Sequence, residues 1–565
     1  MASSADGGGP APERVAALEP VEPLRTDGAR AAGGRRSGPS ARRPSTVLLV
    51  TAAAVGAAFA GPLLYVVAQN VALGSDVWAE LTSADTWWAL GRTLVLALAV
   101  AASGAVLGTG LAWLTTRTDL PGRRLWRVLV PLPLVVPSFV GAAALLAALA
   151  PGGLLAQVLG PVGVEELPAL RGFTGAWLVL TLFTYPYVYL PAAARFALLP
   201  PSLEESARLL GRRPRQVFAS VVLPQSRGAV LAGTLLVFLY TVSDFGAVKL
   251  LRYPTLTTQI FANRLFDRPQ AFALALLLAA VALAVVAAER GVARRSAAVE
   301  AVGGGRPLLV PLGRWRAPAT GGVALVLLLA LVGPLATLAY WAGRGLSRSG
   351  AAATSAGLGE LVAPTVNTAV IGTITAVVAV VVVLPVAFLT ARHRTRTGAV
   401  ANTLVVGGFA LPGLVVALAL VFWVLNAPVL GVLYQTLPVL IFAYVVHFGA
   451  QSMRAAQVAV SGVPDRLGDA ARVLGAGPAR RLATVELPLM LPGLVAGAGL
   501  VLLSTMKELP ATLLLRPTDV ETLSVHIWNA AEDGFLAELG LASIVLVALS
   551  GVLTRLLVVR RAHAA

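Results

Sequence analysis

The chain has 565 residues, of which 57% are hydrophobic and only 13% charged, with a mean hydropathy of +0.80. A soluble protein of this length carries about a quarter charged residues, so a soluble globular fold is excluded. The formal charge of +17 does not point to nucleic acid, because the arginines fall in loops between apolar runs and build no basic groove with interleaved aromatics.

Residues 1–45 are rich in Gly, Ala, Pro and Arg, lack periodicity, and read as a disordered cytoplasmic tail. The apolar run from Val47 to Val67 follows Arg25, Arg30, Arg35, Arg36, Arg42 and Arg43, and is read as an uncleaved first span with the N-terminus in the cytoplasm. Further spans are expected near 92–115, 127–150, 173–199, 227–249 and 270–289, completing a first transmembrane domain over 46–290. Loop 116–126, with Arg117, Arg123 and Arg124, belongs to the cytoplasmic side, and Trp78, Trp87 and Trp88 mark the outer interface. Residues 291–317 read as a basic cytoplasmic linker. A second transmembrane domain, 318–565, has spans near 320–341, 366–390, 399–425, 432–454, 491–512 and 537–558. Arg392, Arg394 and Arg396 mark one of its cytoplasmic loops, and Arg560 and Arg561 a cytoplasmic C-terminus. The expected fold is an all-α membrane protein of about twelve transmembrane helices. Six spans per half insert both halves the same way round, as two parallel six-helix repeats about the membrane normal.

One polar loop recurs in both halves without a gap. Glu205-Ser206-Ala207-Arg208-Leu209-Leu210-Gly211, then Leu223-Pro224, becomes Asp469-Ala470-Ala471-Arg472-Val473-Leu474-Gly475, then Leu487-Pro488. Roughly two residues in five are identical between 200–252 and 464–516, which marks a duplication. Ser202 with Glu205 has capping-box spacing, and Asp465 is placed to cap the second copy. Leu203, Ala207 and Leu210 form one apolar stripe, repeated as Leu467, Ala471 and Leu474, with Glu204 and Arg208 as an i,i+4 pair on the other face. Gly211 and Gly475 suit a left-handed helix stop, and Pro214 suits a second short helix. A single such loop reads as an interfacial anchor. Two in register read as levers that dock into a partner twice.

Asp244 and Glu508 are also equivalent, and Lys507 adjoins one of them. Ionisable residues at membrane depth face a pathway or a partner. Two readings stay open: acids that line a translocation path for a cationic substrate, or an ion pair such as Asp244 with Lys507 that locks the halves together. His447 and Glu486 are weaker cases of the same kind. His393, His526 and His563 lie too far apart in sequence to suggest a metal site. Cysteine is absent, which removes disulfides and cysteine nucleophiles. No Gly-x-x-x-x-Gly-Lys-Ser/Thr run exists, so the chain has no P-loop for ATP.

The duplicated loop resembles the signature of membrane permeases of binding-protein-dependent ABC importers, Glu-Ala-Ala, three residues, Gly, nine residues, Ile-x-Leu-Pro. Glu205, Ala207, Gly211, Leu223 and Pro224 match in the first copy, and Ala470, Ala471, Gly475, Leu487 and Pro488 in the second, with Asp469 in place of Glu. The runs Leu239–Ala247 and Met506–Pro517 resemble fused two-domain permeases of ferric iron importers. The resemblance implies the type I importer permease fold and no catalysis by this chain. It implies coupling helices at Glu205, Ala207, Gly211, Asp469, Ala471 and Gly475 that dock two copies of a separate ATPase subunit carrying ATP and Mg. It also implies an extracytoplasmic binding protein that delivers ferric iron, and a multi-pass location in a bacterial inner membrane. Thiamine, polyamine or phosphonate remain as alternative substrates, and an ion-driven secondary transporter as an alternative class.

Overall fold

Each half is a series of apolar helices broken where proline, glycine or a buried charge interrupts the ladder. The computed structural model describes residues 44–162, 170–297, 308–346, 359–393 and 395–554. Residues 1–43 of the tail, the linker core 298–307, Arg394, Arg560, Arg561 and His563 lie outside the described residues. Within the described residues eleven helices are long and apolar enough to cross a membrane, and one bent pair makes a twelfth when counted as one span. No strand is present among them beyond an isolated bridge between Thr118 and Val310.

The first half contains α1 (Thr46–Leu73), α2 (Ala84–Arg117), α3 (Ser138–Leu149), α4 (Gly172–Leu198), the short α5 (Pro201–Leu209), α6 (Pro214–Ser243), the short α7 (Gly246–Leu250) and α8 (Leu256–Asn263), and α9 (Arg268–Ala297). The second half follows as α10 (Gly313–Leu346), α11 (Val362–His393), α12 (Arg396–Gly408), α13 (Gly413–Asn426), α14 (Leu437–Ser461), the short α15 (Asp465–Val473), α16 (Pro478–Thr505), the short α17 (Pro510–Leu515), α18 (Leu523–Asp533) and α19 (Leu536–Thr554).

Four expected spans are corrected. The span near 399–425 is not continuous: α12 and α13 meet at 104°. Pro412, without an N–H, stands at extended ψ and starts α13 in a new direction. In the first half Pro131, Pro133 and Pro137 likewise divide the expected span 127–150 ahead of α3. The spans expected over 227–249 and 491–512 also stop short, at Ser243 and Thr505. The chain resumes as α7 and α17 beyond Asp244 and Glu508.

In a lipid surround helices gain little from apolar burial against each other, so close approach through small residues matters. A β-carbon on Gly108 of α2 would stand 2.8 Å from the Tyr185 carbonyl oxygen of α4, and one on Gly233 of α6 would stand 2.7 Å from the Tyr187 carbonyl oxygen. Helix α4 is therefore clasped between two glycine faces. Gly108→Leu and Gly233→Leu are each expected to lower folded yield and thermal midpoint, by the about 1–3 kcal/mol or more of an overpacked site. Thermal unfolding of the detergent-solubilised variants checks this.

The halves interlock, and residues from Pro44 onward make one compact unit. Helix α1 packs on the second half: Gly56 lies against Ala401, Tyr65 stacks on Trp423 at 6.2 Å, and Asn426 donates to the Tyr65 hydroxyl. Helix α10 returns the contact, with the Trp341 indole donating to the Ala147 carbonyl at 3.0 Å.

Candidate functional site

The duplicated loop forms two matching short helices, α5 and α15. Each ends at a glycine with φ of +78° (Gly211) and +77° (Gly475), a region that L residues with a side chain avoid. The stop is the same Schellman arrangement twice. Gly211 N donates to Arg208 O and Arg212 N to Ala207 O; Gly475 N donates to Arg472 O and Ala476 N to Ala471 O. After each loop a π-helical turn leads into the long span, Phe218–Val222 and Leu482–Glu486. Each turn lies just ahead of Pro224 or Pro488, whose missing N–H already breaks the ladder.

Neither the capping box expected at Ser202 and Glu205 nor the cap expected from Asp465 forms. Helix α5 starts at Pro201 and α15 at Asp465, with no side-chain cap on either. The proline preceding each start, Pro200 or Pro464, sits at extended ψ and sets the turn instead. The apolar stripe is also only partly inward. Ala207 and Ala471 are buried, but Leu209, Leu210, Val473 and Leu474 are 81–89% exposed. Glu205 and Asp469 are exposed beside them, and Asp469 sits 3.5 Å from Arg472. Both loops thus present an apolar tip, an outward acid and an inward alanine.

Glu204 is not the exposed partner of Arg208. It is 1% exposed, and its Oε1 accepts from Arg117 Nη1 at 2.5 Å. Arg117 itself, read from sequence as a loop residue, is fully buried at the end of α2. Its Nε also donates to Phe196 O at 2.7 Å, and its Nη2 to Leu199 O. Burial pushes the Glu204 carboxyl above its ordinary range, against the opposing pull of Arg117 and Arg208. In the second half the buried acid is Glu486, whose Oε1 accepts from Arg392 Nη1 and Arg481 Nε, both at 3.0 Å. Sequence reasoning missed the arginines. The signal was the repeated run Leu114-Thr115-Thr116-Arg117 and Leu389-Thr390-Ala391-Arg392.

The linker is more than a spacer. Val310 N donates to Arg117 O at 2.9 Å, Leu312 N donates to the Asp119 carboxylate, and Arg316 pairs with Asp119.

On the opposite side Asp244 and Glu508 stand at the two breaks. Asp244 Oδ1 accepts from the amides of Ala247 and Val248, and Oδ2 accepts from the Ser138 hydroxyl at 2.5 Å. Glu508 Oε1 accepts from the Ala511 amide at 3.2 Å, while its Oε2 is buried without a partner. Each acid therefore caps the short helix after its break. Where the first half has Ser138, at the start of α3, the second has Gly413 at the start of α13, and a β-carbon there would collide with the Glu508 carboxylate. The longer acid fills the room the serine vacates. The ion pair suggested between Asp244 and Lys507 does not form. Lys507 Nζ instead donates to Leu134 O of the first half at 3.2 Å. The breaks meet: a β-carbon on Gly246 would lie 3.1 Å from Leu509, and Phe245 packs on Trp528.

His526 lies between Glu521 (3.4 Å) and Glu538 (2.8 Å). The hydrogen bond to Glu521 holds its imidazole above the ordinary value of about 6.5. A raised value means that its stabilisation is complete below about 6.5 and is lost as pH rises through the folded value. The thermal midpoint of wild type relative to His526→Gln is expected to fall over that rise, which a melting series across pH checks. No group of three potential metal ligands occurs among the described residues, and His563 is not among them.

A family model described as the binding-protein-dependent transport system inner membrane component matches residues 104–297 and again 383–563. The Fe(3+)-transport system permease protein FbpB 2 of Haemophilus influenzae is 29% identical over 520 residues, covering 90% of this chain and 97% of that protein. A probable molybdenum ABC transporter permease protein of Haloferax volcanii is 33% identical over 229 residues, 39% of this chain and 80% of its own length. The sulfate transport system permease protein CysT of Salmonella typhimurium is 28% identical over 216 residues, 37% of this chain and 77% of its own.

Proposed function

The chain belongs to the binding-protein-dependent transport system inner membrane components, as two fused repeats, and from that premise we propose that it imports ferric iron by docking a separate ATPase at α5 and α15. As a multi-pass membrane transport subunit it performs no covalent chemistry in this reading. The observation that supports docking is the duplicated loop itself: two identically stopped helices, each with an exposed acid and an exposed apolar tip. Exposed apolar pairs of this kind are what a protein partner covers. Two ATPase copies, carrying ATP and Mg, would take one helix each, with Glu205, Ala207 and Gly211 in one site and Asp469, Ala471 and Gly475 in the other. The arginine-rich side with these loops is then cytoplasmic, together with both termini.

Iron is supported by the relative that spans both halves in one chain, whereas the molybdenum and sulfate relatives align over little more than a third of it. A cationic substrate also suits carboxylates at both breaks. An extracytoplasmic binding protein would deliver iron to the outer side. ATP binding would draw α5 and α15 together, and the packed breaks at Asp244 and Glu508 would part, with Lys507 losing its bond to Leu134. Each ligand acts only through its differential affinity for the two states. Uptake of radiolabelled ferric iron into cells or proteoliposomes holding the chain, its ATPase and its binding protein tests the substrate. Iron uptake insensitive to excess thiamine, polyamine, phosphonate, sulfate and molybdate is expected. Iron-independent uptake of one of those competitors would overturn the iron assignment, and uptake driven by an ion gradient without ATP would overturn the class.

A further inference from the structure

An arginine closes the second span of each half, the fully buried Arg117 on α2 and the half-buried Arg392 on α11, within the repeated Leu-Thr-x-Arg run. A buried guanidinium needs a buried counter-charge. Each half supplies one carboxylate, but from different places. In the first half it is Glu204, on the docking helix α5. The equivalent position in the second copy of the loop is Gly468, and the carboxylate comes instead from Glu486 on the π-helical turn. The first-half counterpart of Glu486 is the apolar Val222. The two exchanges compensate in space: a β-carbon on Gly468 would lie 3.5 Å from Glu486 Oε1. The Glu486 carboxylate therefore holds the ground that a side chain at 468 would enter.

We propose that these are one electrostatic latch filled from two elements, and that it makes the two docking sites mechanically unequal. Glu204 pins α5 itself. Through Arg117 it ties the docking helix to the end of α2 and to the last turn of α4, while the linker braces the Arg117 carbonyl through Val310. Helix α15 contributes no charged side chain to its latch. Asp465, Arg466, Asp469 and Arg472 are all exposed. Its half is held behind the helix, by Glu486 between Arg392 and Arg481, and Arg392 keeps Nε and Nη2 without hydrogen-bond partners. Motion of an ATPase at α5 passes directly into α2 and α4. Motion at α15 passes through the second leg of the loop and the π-helical turn into α11. Glu204 and Glu486 are positioning residues in this scheme.

The functional part rests on the ATPase-docking reading above; the latch itself does not, so the test has two arms. In the first, amide exchange is followed in the solubilised full chain without any partner. Amides of 202–209 are expected to exchange roughly tenfold more slowly than those of 466–473, and Glu204→Gly should erase the difference. In the second, ATP-driven uptake and ATP hydrolysed per substrate are compared for Glu204→Gly and for Glu204→Gly with Val222→Glu, which transplants the second-half arrangement into the first. The single variant is expected to lose at least about tenfold in uptake per ATP, because it leaves Arg117 buried and unpaired. The double variant should recover most of it, whether or not the single variant is well folded. A double variant no better than the single would overturn the proposal. So would equal exchange of the two docking helices in the wild type. Absence of ATP-driven uptake by the wild type would instead refute the docking reading and leave the exchange arm standing.

Discussion

Leucine at both Gly211 and Gly475 is expected to abolish uptake while leaving the membrane spans folded. Both glycines lie at φ near +78°, where a side chain costs about 1–2 kcal/mol per residue. Nothing stands within 4 Å of a β-carbon built on either, so the penalty is backbone strain and not a clash with the core. The cheapest relief is to abandon the left-handed stop. That releases the bonds from 211 and 212, and from 475 and 476, to the ends of α5 and α15. The tips Leu209, Leu210, Val473 and Leu474 then point elsewhere. Docking of such tips depends on placement to within about an ångström, so loss of docking should exceed loss of stability. Uptake measured beside the thermal midpoint separates the two, with uptake lost and the midpoint nearly unchanged as the expected pair of results. Normal uptake by the double variant would remove the coupling role from these helices.

The second large effect is expected from Asp244→Asn combined with Glu508→Gln. Amides of the same shape retain an oxygen for the capping bonds to Ala247, Val248 and Ala511, and the Ser138 hydroxyl can accept from an amide N–H. The breaks should therefore persist with the charge removed. If the acids face the path of a cation, uptake falls by at least about tenfold, the scale of one lost charged contact, at an unchanged thermal midpoint. If they serve only as caps, uptake is retained. Alanine at the same positions is the contrasting case: it removes the caps as well, at about 0.5–2 kcal/mol each, and should lower the midpoint too.

Much of the architecture is legible in the sequence because lipid imposes a simple rule on it. Apolar length and arginine-rich loops locate the spans, and the gapless match between the two copies exposes the duplicated loop. The breaks at Asp244 and Glu508 are hidden from that rule, since apolar residues continue through Val248, Leu250, Leu513 and Leu515. What divides the span is local: an acid able to cap, followed by Gly246 or Pro510. The latch is hidden for a different reason. Arg117 and Arg392 are out of register with the loop repeat, and Glu204/Gly468 and Val222/Glu486 look like two unrelated exchanges until the fold brings them to one point. Glu204 is easily misread because Arg208 stands four residues on and offers a ready surface partner. Only the packing of α2 against α4 reveals a stronger one. The Ser202 capping box and the Asp465 cap fail because a preceding proline already fixes where α5 and α15 begin.

The absence of cysteine makes site-directed cross-linking free of background, and it gives the most direct test of ATPase docking. Single cysteines at Leu209 and at Val473, 89% and 88% exposed, would be probed in membranes containing the partner ATPase and its own introduced cysteines. Both positions are expected to cross-link to the ATPase, one copy to each, and a cysteine at Trp78 on the opposite side is not. An ATPase that cross-links to neither Leu209→Cys nor Val473→Cys, in membranes where uptake is running, would contradict docking at α5 and α15.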